Sequence, residues 1–370
     1  MFRTIRHIIE KEFKQIFRNK TMVGLIFGMP VLQLFILSYA ADFEVKNINI
    51  FVEDNDKSSI SMELIQKIGA SDYFDLTDIS VYKEGLKLIE QNNTDVILSI
   101  PQNFAKNIET GKTTSIALTI DAINGSKAGV TQNYLQNIIL QFSKEQLTSK
   151  IQIKVIPGIE VINRNWYNPT LDYKVFMVPG ILVLLITMIS LFLSSMNIVR
   201  EKEVGTIEQL NVTPIRKTEF VIGKLLPFVV LGILEFSIGL FIAYFWFNTP
   251  IEGSILTLYS FTIVYLTLIL GMGMFISTFT DTQQQAMFIA WFFSVIFILM
   301  SGLFTPIESM PKWAQIVSDF NPIKYYVDVI RLVMLKGSSF VNVSKQFGII
   351  VIYSVVLNTL AVMNYRKTSG

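Results

Sequence analysis

Long apolar runs are the feature that most constrains how this chain can fold. An α-helix needs about 20 apolar residues to cross a hydrocarbon layer about 30 Å thick. Six such runs occur: Met22–Ala41, Val175–Val199, Phe220–Phe247, Ile255–Phe279, Ala286–Phe304 and Gln346–Met363. Charged residues make up only 16% of the chain, against about 25% in soluble domains. We therefore predict an α-helical polytopic membrane protein with six transmembrane helices.

The rare residue types exclude several kinds of chemistry. The chain has no cysteine and a single histidine, His7, which removes thiolate chemistry, histidine-based metal sites and a Ser-His-Asp triad. Gly111-Lys112-Thr113 is like the end of a phosphate loop, but the earlier glycine that such a loop requires is Lys106 here. We expect no catalytic residue, no metal and no bound cofactor, and a net charge of +2 indicates no nucleic-acid surface.

The basic residues predict how the chain is oriented, because lysine and arginine are enriched in cytoplasmic segments. The tail before the first run, residues 1–20, is rich in them, so we expect a cytoplasmic N-terminus and an uncleaved first span at residues 21–41. Six spans return the C-terminus, with Arg366 and Lys367, to the cytoplasm. One segment disagrees with this rule: residues 305–345 are expected outside and yet carry Lys312, Lys324, Arg331, Lys336 and Lys345.

Residues 42–174 differ in composition from the rest and predict an inserted α/β domain outside the membrane. Strands are expected at Ile48–Val52, Asp95–Ile100 and Ser115–Ile120. Helices are expected at Ser58–Ile68, within Val81–Gln91, from Pro101 to Glu109, and at Ala128–Lys150. The acidic group Glu53, Asp54 and Asp56 lacks the glycine and final glutamate of a calcium-binding loop, and we interpret it as a solvated turn.

Two amphipathic segments remain. Residues 3–18 alternate basic and apolar positions with a helical period, which is typical of a helix on a membrane surface. The loop between the second and third runs, residues 200–217, interleaves glutamates with basic residues and is interrupted at Gly205 and Pro214. The residues alone predict a short surface helix that is either a solvated connector or a docking element.

That loop also carries a pattern that resembles the signature of the type-2 ABC transporter permease family. The residues that match are Glu201, Glu203, Gly205, Thr206, Glu208, Leu210, Thr213 and Pro214, then Gly223, Lys224, Leu225 and Pro227. Further segments are similar to the same family: Trp166–Pro169, Phe176–Gly180, Ser301–Pro306 with Met310–Pro311, and Asn321–Pro322 with Tyr325, Tyr326 and Arg331. The likeness covers essentially the whole chain, and the large domain after the first span is similar to the drug- and lipid-exporting branch.

The resemblance implies a transport subunit of the bacterial inner membrane rather than an enzyme. It implies two paired permeases, identical or different, and a separate ATPase that binds ATP and Mg²⁺ and docks at residues 200–217. The eight residues from Glu201 to Pro214 named above would transmit its closure to the spans. It also implies that residues 305–345 re-enter the membrane from outside, with Pro306, Pro311, Asn321, Pro322 and Arg331 in that region, and that the inserted domain contacts a periplasmic adaptor or gates the exit.

Glu235 is an acidic residue near the middle of the third apolar run. A carboxylate at that depth costs about 2.5–3.5 kcal/mol on insertion scales, so such residues usually face a cavity or a partner. We predict that it lies on a substrate or proton path, the other interpretation being an uncharged or paired group between helices. A proton-coupled secondary transporter that uses Glu235 is therefore the alternative function, although the internal repeats of such transporters are missing here.

Overall fold

The computed structural model describes residues 2–40, 47–71, 73–79, 82–91, 93–123, 125–150, 167–168, 172–205 and 215–364. The chain divides into two compact units, one of residues 1–42 with 164–370 and one of residues 43–163. Several residues that carried predictions lie outside the described residues: Trp166, Pro169, Thr206, Glu208, Leu210, Thr213, Pro214, Arg366 and Lys367.

The helical unit begins with α1 (Phe2–Arg18), α2 (Lys20–Val23), a π-helical turn (Gly24–Gly28) and α3 (Met29–Ala40). The predicted amphipathic helix is α1, and residues four apart, Ile8, Glu12 and Ile16, form its buried stripe. A stripe with a central glutamate does not fit a lipid surface. The interpretation as a purely membrane-surface helix is therefore wrong, because this stripe packs against protein.

The inserted unit consists of β1 (Ile48–Asp54), α4 (Ser59–Gly69), β2 (Phe74–Ile79), α5 (Tyr82–Glu90), β3 (Val96–Ile100), α6 (Phe104–Glu109), β4 (Ala117–Ile120) and α7 (Gly125–Lys150). Its four-stranded sheet has the order β2-β1-β3-β4. Strand β1 runs parallel to β2 and β3, and β4 runs antiparallel to β3. The predicted α/β character is present, and Ser58 caps α4 as expected, by accepting a hydrogen bond from the Ser61 backbone.

Two local predictions in this unit were wrong. Pro101 does not open a helix, because α6 starts only at Phe104, after Asn103 in a left-handed conformation. The acidic group after β1 is not a solvated turn. Asp54 is buried and accepts a hydrogen bond of 2.6 Å from the Ser61 hydroxyl, and Asp56 accepts the backbone N–H groups at the start of α6. These carboxylates join β1 to two helix N-termini.

After the inserted unit the chain forms α8 (Tyr173–Glu203), α9 (Lys217–Phe245), α10 (Ile255–Ser277), α11 (Gln283–Leu299), α12 (Lys312–Ser318), α13 (Pro322–Lys336) and α14 (Ser344–Asn364). Four helices within the described residues are long and apolar enough to cross a membrane: α8, α9, α10 and the segment Phe340–Asn364. The first and fifth predicted spans contain shorter apolar helices, Ile26–Ala40 and Gln283–Leu299. The count of six spans therefore stays a prediction.

Helix α8 lies at the centre of the helical unit, where most of its side chains are buried against α3, α9, α10, α11 and α13. Small residues let the helices approach closely. A Cβ added at Gly273 of α10 would lie 2.8 Å from the Leu191 carbonyl oxygen of α8. At the same crossing, the Ser194 hydroxyl donates a hydrogen bond of 2.6 Å to the Leu270 carbonyl. Such close packing makes α8 a rigid rod between the two ends of the unit.

Candidate functional site

Three of the four charged residues in the last turn of α8, Glu201, Lys202 and Glu203, each contact a different neighbour. Glu201 accepts a hydrogen bond of 2.6 Å from Lys11 of α1. The Lys202 ammonium donates to the Ser277 and Thr280 carbonyls, at 2.8 and 3.0 Å, where α10 ends. Ammonium groups are favourable there because the carbonyls at a helix C-terminus have no backbone donors.

Glu203 fastens the same turn to α11. Its carboxylate accepts one hydrogen bond from the Gln283 backbone N–H, at 2.8 Å, and another from the side-chain amide of Gln283. Gln283 is the first residue of α11, so this acid also compensates the positive N-terminal end of that helix. Gly205, with φ of 74°, then ends α8 in a left-handed conformation that suits glycine. The end of α8 is thus joined to α1, α10 and α11 by side chains that lie within one turn.

A buried ion cluster completes this end of the unit. We call it the Lys224 cluster and define it as Glu12, Asn197, Glu201, Lys224 and the half-exposed Lys11. The Lys224 ammonium lies 2.9 Å from a Glu12 oxygen and 2.7 Å from a Glu201 oxygen. Asn197 accepts from Lys224 at 2.7 Å and donates to Glu12 at 3.0 Å.

Burial makes the Lys224 cluster costly to break. Side-chain exposure is 1% for Lys224, 0% for Glu12 and 4% for Glu201, whereas Lys11 is 47% exposed. A surface ion pair contributes little because water and salt screen it. A buried charge that loses its partner is costly, about 3–5 kcal/mol. The cluster therefore holds α1, α8 and α9 together for as long as every member stays in place.

Local sequence explains why these charges meet. Glu12 lies between Ile8 and Ile16 in the buried stripe of α1, at a position that would otherwise suit an apolar residue. Gly223 gives Ile8 room to approach α9, since a Cβ at that glycine would lie 2.9 Å from the Ile8 side chain. That approach puts Glu12 next to Lys224, the residue after the glycine. Glu12, Lys11 and Asn197 were not predicted from the sequence, where the available signal was an acid within an otherwise apolar stripe.

The structure divides the predicted coupling residues into separate groups. Residues 200–203 continue α8 rather than starting a separate surface helix. Glu201 is buried and Glu203 is exposed, so in this conformation Glu201 acts inside the unit and not on its surface. Gly205 ends α8. The other five, Thr206, Glu208, Leu210, Thr213 and Pro214, belong to the segment outside the described residues, which begins directly after this turn.

A second cluster lies near the opposite end of α8, and it joins three of the family-like segments. The Arg331 guanidinium of α13 lies 3.6 Å from the centre of the Phe176 ring. It donates hydrogen bonds to the Phe176 carbonyl at 3.3 Å and to the Gly302 carbonyl at 3.4 Å. Leu303 fills the space that a Cβ at Gly180 would need. We call Phe176, Gly180, Gly302, Leu303 and Arg331 the Arg331 cluster.

The predicted re-entrant region, residues 305–345, is largely helical and packed. Pro306 precedes a 3₁₀ turn at Ile307–Ser309, and Pro311 precedes α12. Asn321 caps α13 through the Ile323 backbone N–H and donates at 2.6 Å to the Phe297 carbonyl, while Pro322 is the first residue of that helix. Helix α13 is buried against α8 and α10, which fits a segment that is not a solvated loop.

Three of the five basic residues in the 305–345 region have partners within the protein. Lys324 pairs with Asp319 at 2.7 Å, and Lys336 lies over the Tyr167 ring. Arg331 donates to main-chain carbonyls in the Arg331 cluster. The side of the membrane on which this region lies stays a prediction.

Two cavities adjoin α8. One, of about 450 Å³, lies between the first helices, α8 and α11. Five methionines line it, Met22, Met29, Met188, Met196 and Met287, together with Gln33, Arg200 and Gln283 among others. The other, of about 20 Å³, surrounds Glu235 and is otherwise apolar. Across the part of the chain that the structure describes, no group of three or more potential metal ligands occurs.

The Lys224 cluster yields a direct prediction for stability. Lys224→Met leaves two buried carboxylates with only the half-exposed Lys11, so we expect a loss of about 3–5 kcal/mol in unfolding free energy. Adding Glu12→Gln should recover part of that loss, because one of the two negative charges is removed. Thermal unfolding of the purified protein in detergent measures both effects as a double-mutant cycle.

The matched control is Lys14→Met on the exposed face of the same helix, where Lys14 pairs only with Glu10 one turn away. That variant should unfold at the wild-type temperature. Equal effects of Lys14→Met and Lys224→Met would show that the buried cluster adds nothing to stability.

Comparisons with known proteins agree with the family predicted from the loop signature. Residues 20–363 match the family described as "ABC-2 family transporter protein". The chain is 29% identical over 370 residues to the probable multidrug ABC transporter permease YbhR of Escherichia coli K12, with 99% of each chain covered. It is 28% identical over 339 residues to the probable multidrug ABC transporter permease YbhS of the same strain, covering 91% of this chain and 90% of that one.

A third relative is the inner membrane transport permease YhhJ of Escherichia coli K12, which is 25% identical over 372 residues and covers 100% of this chain and 98% of the relative. The family match therefore includes the last turn of α8, the Arg331 cluster and all the apolar helices. On this basis the chain belongs to the ABC-2 transporter family.

Proposed function

We propose that this chain is the permease subunit of an ATP-binding-cassette exporter that moves its substrate outward across the bacterial cytoplasmic membrane. A separate ATPase would bind ATP and Mg²⁺ and dock at residues 200–217, since this sequence contains no complete phosphate loop. The observation that carries the proposal is the last turn of α8. It is tied to α1, α9, α10 and α11 at the point where the candidate docking segment begins.

This arrangement gives a mechanism for coupling. The ATPase would exert its force on residues 206–214. Glu203 lies only a few residues before this segment, so the force would move the end of α8. Because the contacts of that turn are buried or fully hydrogen-bonded, the attached helices move with it as one body. Helix α8 then carries the displacement roughly 38 Å, at 1.5 Å per residue between residues 176 and 201, to the Arg331 cluster.

The positions of the chain ends support the expected orientation. Helix α1 meets the last turn of α8 through Glu12 and Lys224, so the N-terminus and residues 200–217 share one end of the unit. Ala361, near the end of α14, packs there as well, with Ile198 and Phe220. We infer that this end faces the cytoplasm. The basic residues before the first span favour an extracytoplasmic inserted unit, which would contact a periplasmic adaptor.

The methionine-lined cavity is our candidate for the cargo site. Its volume of about 450 Å³ falls in the range of ligand pockets, about 300–1,000 Å³. Methionine side chains are flexible and polarisable, so they adapt to apolar molecules of different shape. Arg200 and the amides of Gln33 and Gln283 would contact a polar group of the cargo. Two permease copies, identical or different, would complete the transporter.

The alternative is a proton-coupled secondary transporter that uses Glu235, and the buried position of that carboxyl group favours it. The two functions differ in their energy source. Export by the proposed assembly continues when the proton gradient is collapsed and stops when ATP hydrolysis is blocked, whereas a secondary transporter behaves in the opposite way.

Glu208→Lys tests the docking proposal. Glu208 lies in the segment that would face the ATPase, so reversal of its charge should place like charges in the contact and lower the amount of ATPase that co-purifies with the chain. The variant should still insert in the membrane at the wild-type level. The quantity measured is the ratio of ATPase to permease after affinity purification in detergent.

Glu308→Lys serves as the matched control, because Glu308 is an exposed glutamate in the 305–345 region. It should leave the ratio unchanged. If Glu208→Lys also retains the wild-type ratio, residues 200–217 do not hold the ATPase and the proposed coupling is wrong.

A further inference from the structure

Glu235 lies in a small cavity between the first apolar helix, α8 and α9. The cavity has a volume of about 20 Å³ and is lined by Phe27, Pro30, Val31 and Leu34 of the first helix, by Leu182, Leu185 and Ile186 of α8, and by Ile238, Gly239 and Ile242 of α9. Glu235 is 6% exposed. Its Oε1 atom is buried and has no hydrogen-bond partner among the described residues.

The surroundings of this carboxyl group differ from those of the Lys224 cluster. There, two buried carboxylates face a buried ammonium. Here, none of the described residues that line the cavity from the first helix, α8 or α9 is basic, and Glu235 is the only titratable one. An ionised carboxylate in such a place would be desolvated without compensation, which is far more costly than burial of the neutral acid.

The cavity has room for a water molecule and little else. About 10–15 Å³ is needed for one water, and the volume here is about 20 Å³. Glu235 supplies the only polar side chain among the described residues that line this space. A buried water needs about two to four polar partners, so the acid is surrounded by apolar groups rather than by a hydration shell.

We propose that Glu235 is a proton-binding lock: a neutral carboxylic acid that closes the joint between the first apolar helix and α8 and α9. With the proton bound, Pro30 and Leu34 pack against α8 and α9 around the acid. When the proton leaves, the ionised Glu235 carboxylate has to reach bulk water. It can do so only if the first helix separates from α8 and α9. The contact is therefore complete at low pH and is lost as pH rises through the titration of Glu235.

This lock is independent of the proposed export function, because it concerns only the packing of one chain. It also restricts the hypothesis that Glu235 lies on a substrate or proton path. In this conformation the space around Glu235, of about 20 Å³, is too small for a cargo molecule. The functional consequence is that the first helix can be released by deprotonation.

Infrared spectroscopy of the purified full-length protein tests the protonation state. At neutral pH, the difference spectrum of wild type minus Glu235→Gln should contain the carbonyl stretch of one protonated carboxyl group. Glu109→Gln, at an exposed glutamate of the inserted unit, should give a carboxylate difference instead. A carboxylate band assigned to Glu235 would overturn the proposal.

Thiol labelling tests the lock itself, since the chain has no cysteine and Leu34, which lines the cavity, is 1% exposed. Leu34→Cys should react with a water-soluble maleimide faster as pH rises, beyond the increase that thiol ionisation alone produces. The same substitution in the Glu235→Gln background isolates that chemical increase, because the amide cannot ionise. Identical pH dependence in the two backgrounds would refute the lock, as would failure of the neutral Glu235→Gln variant to fold.

Discussion

A lysine buried between two glutamates determines how one end of this transporter is held together. Lys224 has no access to water, and the two acids that neutralise it come from different parts of the chain, Glu12 in α1 and Glu201 in α8. Because charges in such surroundings cannot separate without a large penalty, the three helices form one unit. The neighbouring residues Lys202 and Glu203 extend that unit to the end of α10 and the start of α11.

This constraint gives a physical meaning to the charged loop signature. The glutamates of that signature do not all serve the same purpose. Glu201 and Glu203 fasten α8 to its neighbours, whereas Glu208 lies outside the described residues. At the opposite end, the Arg331 cluster joins α8 to α13 through a guanidinium that stacks on Phe176 and donates to main-chain carbonyls. In the proposed mechanism, a movement of α8 would reach both clusters.

Much of the fold could be predicted because it depends on local patterns. Apolar runs located the helices of the membrane unit, and in the 305–345 region the structure places helix ends at Pro311, Pro322 and Gly337. Strand β2 was missed, since its sequence places Asp75 and Asp78 in a short segment at the edge of the sheet. The Lys224 cluster was missed for a different reason. It joins residues about 190 positions apart, and nothing local at Glu12 indicates which helix it will meet.

In the proposed coupling, the Lys224 cluster passes movement of the ATPase to α1. Since the chain has no cysteine, spin labels can be attached through Lys14→Cys on the exposed face of α1 and Met287→Cys on α11. Their separation can then be measured by electron paramagnetic resonance in the complex with its ATPase. Trapping ATP should change this distance in the parent protein, and the change should be lost when Lys224→Met and Glu12→Gln are added. An equal change with and without the cluster would show that the cluster does not couple α1 to the ATPase.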